Sequence, residues 1–126
     1  MTVRLLLDTH AALWWLGDDD RLGSRSAGLL GDPANDVLLS AAVVWEVAIK
    51  RSLGKLRAPG GFASALLGAG ANALPVTIGH AEAAGLLEWH HRDPFDRMLI
   101  AQASVEQAVL ISNDEALEPY GVTLVW

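Results

Sequence analysis

The first residues of the chain contain the feature that most constrains its fold. Val3 to Leu7 is a short, mainly apolar run that ends abruptly at Asp8. Such a run is typical of a strand that is buried on both faces of a parallel sheet. Four further segments repeat the pattern, the last two more weakly: Val37 to Ser40, Val109 to Ser112, Leu74 to Val76 and Thr123 to Val125. The sequence therefore predicts up to five strands.

Segments with helical character alternate with these strands. They are His10 to Leu16, Arg25 to Leu30, Ala41 to Ser52, Ala63 to Leu67, Ala81 to His90 and Pro94 to Gln107. Alternating strands and helices predict βαβ units around a parallel sheet. With 126 residues, the chain has the length of one domain, so we expect residues 1–126 to form a single α/β domain.

Composition excludes several classes of protein. Hydrophobic residues make up 52% of the chain and charged residues 19%, which is typical of a globular domain rather than a disordered one. The apolar runs are too short for a membrane span or a secretory signal, so we expect a cytoplasmic protein without membrane contact. There is no cysteine, so a metal ion would need oxygen or imidazole ligands.

The net charge of −6 argues weakly against binding of nucleic acid by bulk electrostatics. However, four of the nine basic residues fall within one short stretch, at Lys50, Arg51, Lys55 and Arg57. We expect Lys50, Arg51 and Lys55 either to guide an RNA backbone or to form a solvated helix end.

Four acidic residues are placed where a site is expected. Asp8 and Asp114 follow predicted strands, and in parallel α/β sheets ligands bind beyond the carboxyl ends of the strands. Asp96 lies in the first turn of the helix that leads into the strand at Val109. Glu46 lies in the apolar segment around Trp45, where a charged side chain needs a partner or a solvent-filled site. These positions predict a cluster of carboxylates.

The chemistry of such a cluster favours phosphodiester hydrolysis. At an effective dielectric constant near 20, carboxylates about 4 Å apart repel by about 4 kcal/mol, so they protonate or bind cations. Oxygen ligands favour Mg²⁺ or Mn²⁺. These ions activate a bound water and stabilise charge on a leaving oxygen.

Each of three acids also has a structural interpretation. Asp8 is placed to cap the following helix, Asp114 to cap the segment after it, and Asp96 to interact with a helix dipole. Asp93 is interpreted as an N-cap before Pro94 and is left outside the site. The four histidines have no spacing typical of a zinc site, so we predict surface or capping roles for them.

With these residues identified, the sequence resembles PIN-domain ribonucleases of the VapC toxin type. Four segments carry the resemblance: LLLDTHAALWWL, SAAVVWEVAIKRSLGKL, HHRDPFDRMLIAQA and LISNDEALEPYGV. They run from Leu5 to Val122, which is nearly the whole chain. Their shared order and spacing are far more specific than any single acidic residue.

The resemblance implies a three-layer α/β/α domain with a central, mainly parallel five-stranded sheet. It implies RNA cleavage with Mg²⁺ or Mn²⁺, and the family's site acids match Asp8, Glu46, Asp96 and Asp114. Ser112 matches a position where the family usually has threonine, so the hydroxyl is kept. The resemblance further implies a toxin that inhibits translation and growth, toxin homodimers, and a VapB-type antitoxin whose C-terminal segment covers the site.

Arg97 stands next to Asp96, where we interpret it as binding a phosphate, orienting Asp96 or forming an ion pair. Other α/β classes fit poorly. A response-regulator receiver needs a lysine after its fifth strand, and the chain has none beyond Lys55. A HAD-type phosphatase needs an aspartate where His10 stands. A PIN-like module that binds RNA or a partner without cutting it is the remaining alternative.

Overall fold

The computed structural model describes residues 2–58 and 60–126. Its strands are β1 Arg4–Leu7, β2 Asp36–Ser40, β3 Asn72–Leu74, β4 Val109–Ile111 and β5 Leu124–Val125. Its helices are α1 Thr9–Leu16, α2 Ser24–Gly31, α3 Ala41–Ser52, α4 Phe62–Gly68, α5 Ile78–Leu86 and α6 Pro94–Glu106, with a 3₁₀-helix at Glu115–Tyr120. Strands and helices alternate along most of the chain, as the sequence predicts.

The strands form one parallel sheet in the order β3-β2-β1-β4-β5. Together with the helices this is the predicted three-layer α/β/α fold. In the central strand, Leu5 pairs with Val37 of β2 and with Val109 of β4. Leu5, Leu6 and Leu7 are fully buried, which explains why β1 is apolar on both faces.

Strand order places a topological switch point beside β1. After β1 the chain continues to β2 and β3 on one side of the sheet, and β4 then returns to the other side of β1. The connections that follow β1 and β4 therefore lead away in different directions. Ligands of open parallel sheets bind at such a point.

Two predicted segments differ from the structure. The third strand runs from Asn72 to Leu74, because Asn72 and Leu74 pair with β2 and the following Pro75 has no N–H to donate. Helix α5 begins at Ile78, because Thr77 and His80 form a capping box. None of the described helices has the length and hydrophobicity that a membrane-spanning helix requires.

Candidate active site

The end of β1 positions Asp8. Its amide donates to the Ile111 carbonyl of β4, and its carboxylate caps α1 by accepting from the Ala11 amide at 2.8 Å. The side chain is buried, and burial raises the pKa of the Asp8 carboxyl above its usual value. The negative charge of Asp114 raises this pKa further, whereas the hydrogen bonds from Ala11 and Ser112 lower it. Asp8 is therefore both a helix cap and a partly buried acid beside a second one.

The end of β4 positions Asp114 through Ser112. The buried Ser112 hydroxyl accepts from the Asp114 amide at 3.1 Å, and its interaction with the Asp8 carboxyl lowers the pKa of that group. The Asp114 carboxylate accepts from the Ala116 amide at 3.0 Å, which caps the 3₁₀-helix. Ser112 thus links the two acids that follow the neighbouring strands β1 and β4.

Helix α3 positions Glu46, whose two oxygens have different partners. Thr9 donates its hydroxyl to Oε1 at 2.6 Å, and the Lys50 ammonium lies 2.6 Å from Oε2. Glu46 is only 7% exposed, so these contacts supply the partners that a buried carboxylate requires. They also fix the orientation of the carboxylate.

The first turn of α6 positions Asp96. Asp93 caps this helix by accepting from the amides of Phe95 and Asp96, as its sequence position predicts. The Asp96 carboxylate lies 2.8 Å from Nε2 of His91. Burial raises the pKa of Asp96, the negative charges of Asp93 and Glu46 raise it further, and the hydrogen bond with His91 lowers it.

Charge interactions and one close group of side chains link the four predicted acids. Asp8 and Asp114 interact by charge, as do Asp96 and Glu46. One ligand atom each of His91, Asp96 and Asp114 lies within 4.8 Å of the other two. The structure therefore brings the acids predicted from sequence together beyond the carboxyl ends of β1 and β4.

The basic residues of α3 do not form a uniform patch. Lys50 pairs with Glu46, and this hydrogen bond raises the pKa of the Lys50 ammonium, with further support from the charges of Glu46, Asp93 and Asp96. Lys50 is therefore part of the charge balance of the acid cluster. Arg51 and Lys55 are exposed at and beyond the end of α3, where they are accessible to a solution anion.

Arg97 has a different position from the one we predicted. Its guanidinium donates to the carbonyls of Ala84, Leu87 and Glu88 at the end of α5, and stacks 3.7 Å from the centre of the Trp89 ring. It is only 4% exposed. These contacts replace the predicted roles in binding phosphate, orienting Asp96 or forming an ion pair, because the donors are directed to backbone carbonyls. Arg97 instead terminates α5 and holds the loop that follows.

Two residues near the acids were missed or misinterpreted from sequence. Thr9 had no predicted role, although it stands directly after Asp8 and donates to Glu46. We predicted a surface or capping role for His91. Its side chain is 26% exposed, but it lies beside the acids, with a ring nitrogen within 4.8 Å of ligand atoms of Asp96 and Asp114. The signal for His91 was its position five residues before Asp96, across a loop whose path sequence alone does not specify.

With this geometry described, the comparison with protein families is decisive. The model of the PIN domain matches residues 5–121, which include all four acids. The chain belongs to the PIN-domain family. Proteins of the PIN-domain family are nucleases. No functionally curated protein shows significant sequence similarity to this chain.

Solved structures share the fold of this PIN domain at low sequence identity. A structure of VapBC2 from Rickettsia felis, bound to a DNA fragment from its promoter, matches with a TM-score of 0.72 and 15% identity over 98% of both chains. DNA-bound VapBC from Salmonella typhimurium matches with a TM-score of 0.69 and 16% identity, over 98% of this chain and 97% of the other. FitAcB from Neisseria gonorrhoeae matches with a TM-score of 0.63 and 17% identity, over 97% and 96%.

The side chains of this PIN domain fit a divalent cation. Mutual repulsion and burial disfavour the ionised forms of Asp8 and Asp96, and a cation would relieve both effects. Carboxylate oxygens are the ligands that Mg²⁺ and Mn²⁺ prefer. The separation of at most 4.8 Å between the ligand atoms of His91, Asp96 and Asp114 is small enough for one ion to contact all three.

Proposed function

We propose that this protein is an endoribonuclease that hydrolyses RNA phosphodiester bonds with Mg²⁺ or Mn²⁺. The observation that carries the proposal is the convergence of Asp8, Glu46, Asp96 and Asp114 at the switch point of a PIN-domain sheet. In this proposal Asp8, Glu46, Asp96 and Asp114 hold the metal ion. When bound, the ion lowers the pKa of a water molecule and stabilises the charge that develops on the leaving oxygen.

Side chains and backbone amides around the cluster orient the acids for this reaction. Ser112 and the Ala11 amide direct Asp8, and Asp93 directs the start of α6 that carries Asp96. Thr9 and Lys50 keep both oxygens of Glu46 in place, which fixes the orientation of this carboxylate within the cluster. Such preorganisation lowers the cost of assembling the reacting groups.

RNA binding is assigned to the end of α3. Arg51 and Lys55 are exposed there, close along the chain to Lys50 and Glu46. We assign them, together with the neighbouring Lys50, to binding of the RNA backbone. A local basic group of this kind allows an acidic protein to bind a polyanion.

The direct test is cleavage of end-labelled single-stranded RNA by purified, partner-free protein. We expect cleavage with Mg²⁺ or Mn²⁺, none with chelator, and a loss of at least about 100-fold in Asp8→Asn. Single-stranded DNA of the same sequence serves as a second substrate. A folded protein that binds the metal ion and RNA but cuts none of several RNAs would support the alternative of a binding module.

We further propose that the nuclease acts as a VapC-type toxin that inhibits translation and growth in the cytoplasm, and that a VapB-type antitoxin neutralises it. The resemblance of the four sequence segments and the fold shared with VapBC structures support this. An exposed apolar surface beside the acids offers a place for such a partner, since Trp45 is 64% exposed and borders a groove of about 470 Å³ formed with Val76, Phe95 and Met98. We assign toxin homodimers as the building block of the complex.

Induced expression in a heterologous bacterium tests this part separately. We expect growth arrest with the wild-type chain, normal growth with Asp8→Asn at equal protein level, and recovery when the cognate antitoxin is co-expressed. Normal growth with an active, RNA-cleaving wild-type protein would reject the toxin assignment and leave the nuclease intact.

A further inference from the structure

His91 is the residue at the acid cluster whose role the four-carboxylate site does not explain. Its Nε2 lies 2.8 Å from Oδ2 of Asp96, and one ligand atom of each of His91, Asp96 and Asp114 lies within 4.8 Å of the others. The side chains of His91 and Asp96 are 26% and 27% exposed, so ions from solution can reach them. The ring therefore lies in the same accessible space as two of the carboxylates.

The loop that carries His91 is fixed by contacts from two other elements. The His91 amide donates to the Tyr120 hydroxyl at 2.9 Å, and the guanidinium of the buried Arg97 donates to the His91 carbonyl at 3.4 Å. Arg97 also donates to Tyr120, so α6 and the 3₁₀-helix together hold the two peptide groups that flank the His91 Cα. Fixing the backbone on both sides limits the positions that the imidazole can adopt.

The other histidines have different partners. His90 pairs with Glu88 and packs against the Tyr120 ring, and His80 is buried against Glu106 and Gln102. His10 stacks on Trp14, although its charge lowers the pKa of Asp8. Among the residues that the structure describes, His91 is the histidine grouped with carboxylates at distances suited to a metal ion.

We infer that His91 ligates the divalent cation of this site directly through Nε2, together with Asp96 and Asp114, and that it favours Mn²⁺ over Mg²⁺. This inference rests on the proposed metal-dependent nuclease and specifies its cofactor. Mg²⁺ takes hard oxygen ligands, whereas an imidazole nitrogen adds affinity for transition-metal ions. The alternative role of His91 is to orient Asp96 through their hydrogen bond without touching the ion.

Electron spin-echo spectroscopy of the wild-type protein with bound Mn²⁺ separates these roles, because a directly ligated imidazole gives a ¹⁴N modulation. We expect this modulation in the wild-type protein without RNA or partner. We expect it to be lost in His91→Asn, whose amide can still hydrogen-bond to Asp96. The matched controls are His10→Asn and His90→Asn, which remove the nearby imidazoles and should keep the signal.

Calorimetric titration of the same variants gives the metal preference. We expect His91→Asn to weaken Mn²⁺ binding by roughly 10-fold or more and Mg²⁺ binding by less than about 3-fold, by the softer character of the imidazole ligand. The His90 variant should bind both ions as the wild-type protein does.

Three results would overturn the inference. Bound Mn²⁺ without ¹⁴N modulation, or a modulation that persists in His91→Asn, would show that His91 is not a ligand while the carboxylate site stands. Equal losses of Mn²⁺ and Mg²⁺ affinity would reduce His91 to a positioning residue for Asp96. A wild-type protein that binds neither ion would overturn both this inference and the proposed metal-dependent function.

Discussion

The Asp8 carboxylate has two structural positions at once: it is the N-cap of α1 and a member of the acid cluster. It caps α1, and it lies beside Asp114 in a buried position that raises its pKa. Ionisation of Asp8 therefore costs folding free energy that a neutral side chain would not. A residue kept under such a cost is characteristic of a functional site, where stability and activity oppose each other.

Replacing Asp8 with asparagine should stabilise the metal-free protein at neutral pH. Asparagine caps helices about as well as aspartate, so the main change is removal of the buried charge. Because the folded pKa is raised, the unfavourable contribution of Asp8 is absent below its unfolded pKa and develops as pH rises through the folded pKa. We expect a melting temperature higher by a few degrees at pH 7, corresponding to roughly 1 kcal/mol, and no difference near pH 3. Thermal unfolding of the Asp8→Asn and wild-type proteins, measured with chelator between pH 3 and pH 7, checks this prediction. A lower melting temperature of Asp8→Asn at pH 7 would contradict it.

Arg97 should contribute to stability rather than to phosphate binding. Arg97→Met keeps much of the apolar stem but leaves the carbonyls of Ala84, Leu87 and Glu88 without their donor. Losing several charge-assisted hydrogen bonds at a buried position should cost about 2–4 kcal/mol. Urea unfolding measures this cost, and Arg92→Met, at an exposed neighbouring position, is the matched control. Equal stability of both variants would contradict the assigned role.

At the scale of elements, the packing of Trp126 against the start of α2 requires that residue 23 has no side chain. A Cβ at Gly23 would lie 2.2 Å from the carbonyl oxygen and 2.4 Å from the carbonyl carbon of Trp126. The same carbonyl oxygen accepts from the Ser26 amide in the first turn of α2. The close approach of Trp126 to α2 is therefore possible because residue 23 is glycine.

Two glycine-to-alanine variants should change stability in opposite directions. Gly23→Ala should cost about 1–3 kcal/mol, because backbone atoms must move to remove the clash with Trp126. Gly28→Ala, within α2 where a Cβ meets no atom within 4 Å, should gain about 0.5–1 kcal/mol from helix propensity. Denaturant unfolding of the pair checks both values. A stable Gly23→Ala variant would mean that Trp126 does not pack on α2 in solution.

The elements also show how far sequence determines this fold. The bounds of α3 and the start of α6 follow from local signals, namely the apolar segment Ala41–Ser52 and the Asp93–Pro94 cap. The position of β3 depends on pairing with β2. Helix α5 ends where the Arg97 guanidinium donates hydrogen bonds to the carbonyls of Ala84 and Leu87. These long-range contacts are not encoded in any local pattern, so both segments were displaced in the prediction.

The same distinction applies to the candidate site. Asp8 and Asp114 are predictable because the carboxyl ends of neighbouring parallel strands share one edge of the sheet. Glu46 is predictable as a charge in an apolar segment. The approach of His91 to Asp96 depends on contacts from Arg97 and Tyr120, so no local pattern predicts that this histidine lies beside the acids.

At the scale of the whole molecule, a net charge of −6 has to be reconciled with a polyanionic substrate. The acid cluster adds to the repulsion between the protein and RNA phosphates. Lys50 offsets part of this repulsion because its ammonium is paired with the Glu46 carboxylate. The exposed Arg51 and Lys55 must then supply most of the local attraction at the end of α3. Binding of RNA should consequently depend strongly on salt.

Charge reversal at Arg51 should weaken RNA binding. We expect Arg51→Glu to lower the affinity by roughly 3–10-fold at low salt and to reduce the salt slope by about 0.7, the value for one phosphate contact on a single strand. Fluorescence anisotropy with labelled RNA measures this in an Asp8→Asn background, which prevents cleavage. Arg25→Glu, on α2, makes the same change of net charge and should have a smaller effect. An unchanged affinity of Arg51→Glu at low salt would remove Arg51 from the RNA surface.

The measurement that tests the central claim most directly is the RNA cleavage rate, with saturating Mn²⁺, of four single variants beside the wild-type protein. They are Asp8→Asn, Glu46→Gln, Asp96→Asn and Asp114→Asn, and Asp93→Asn is the control because Asp93 caps α6 outside the proposed ligand set. We expect each of the four to lose about 100-fold or more in rate, and the control to lose less than about 10-fold. Four folded variants that cut RNA at the wild-type rate would contradict the assignment of this acid cluster as the active site.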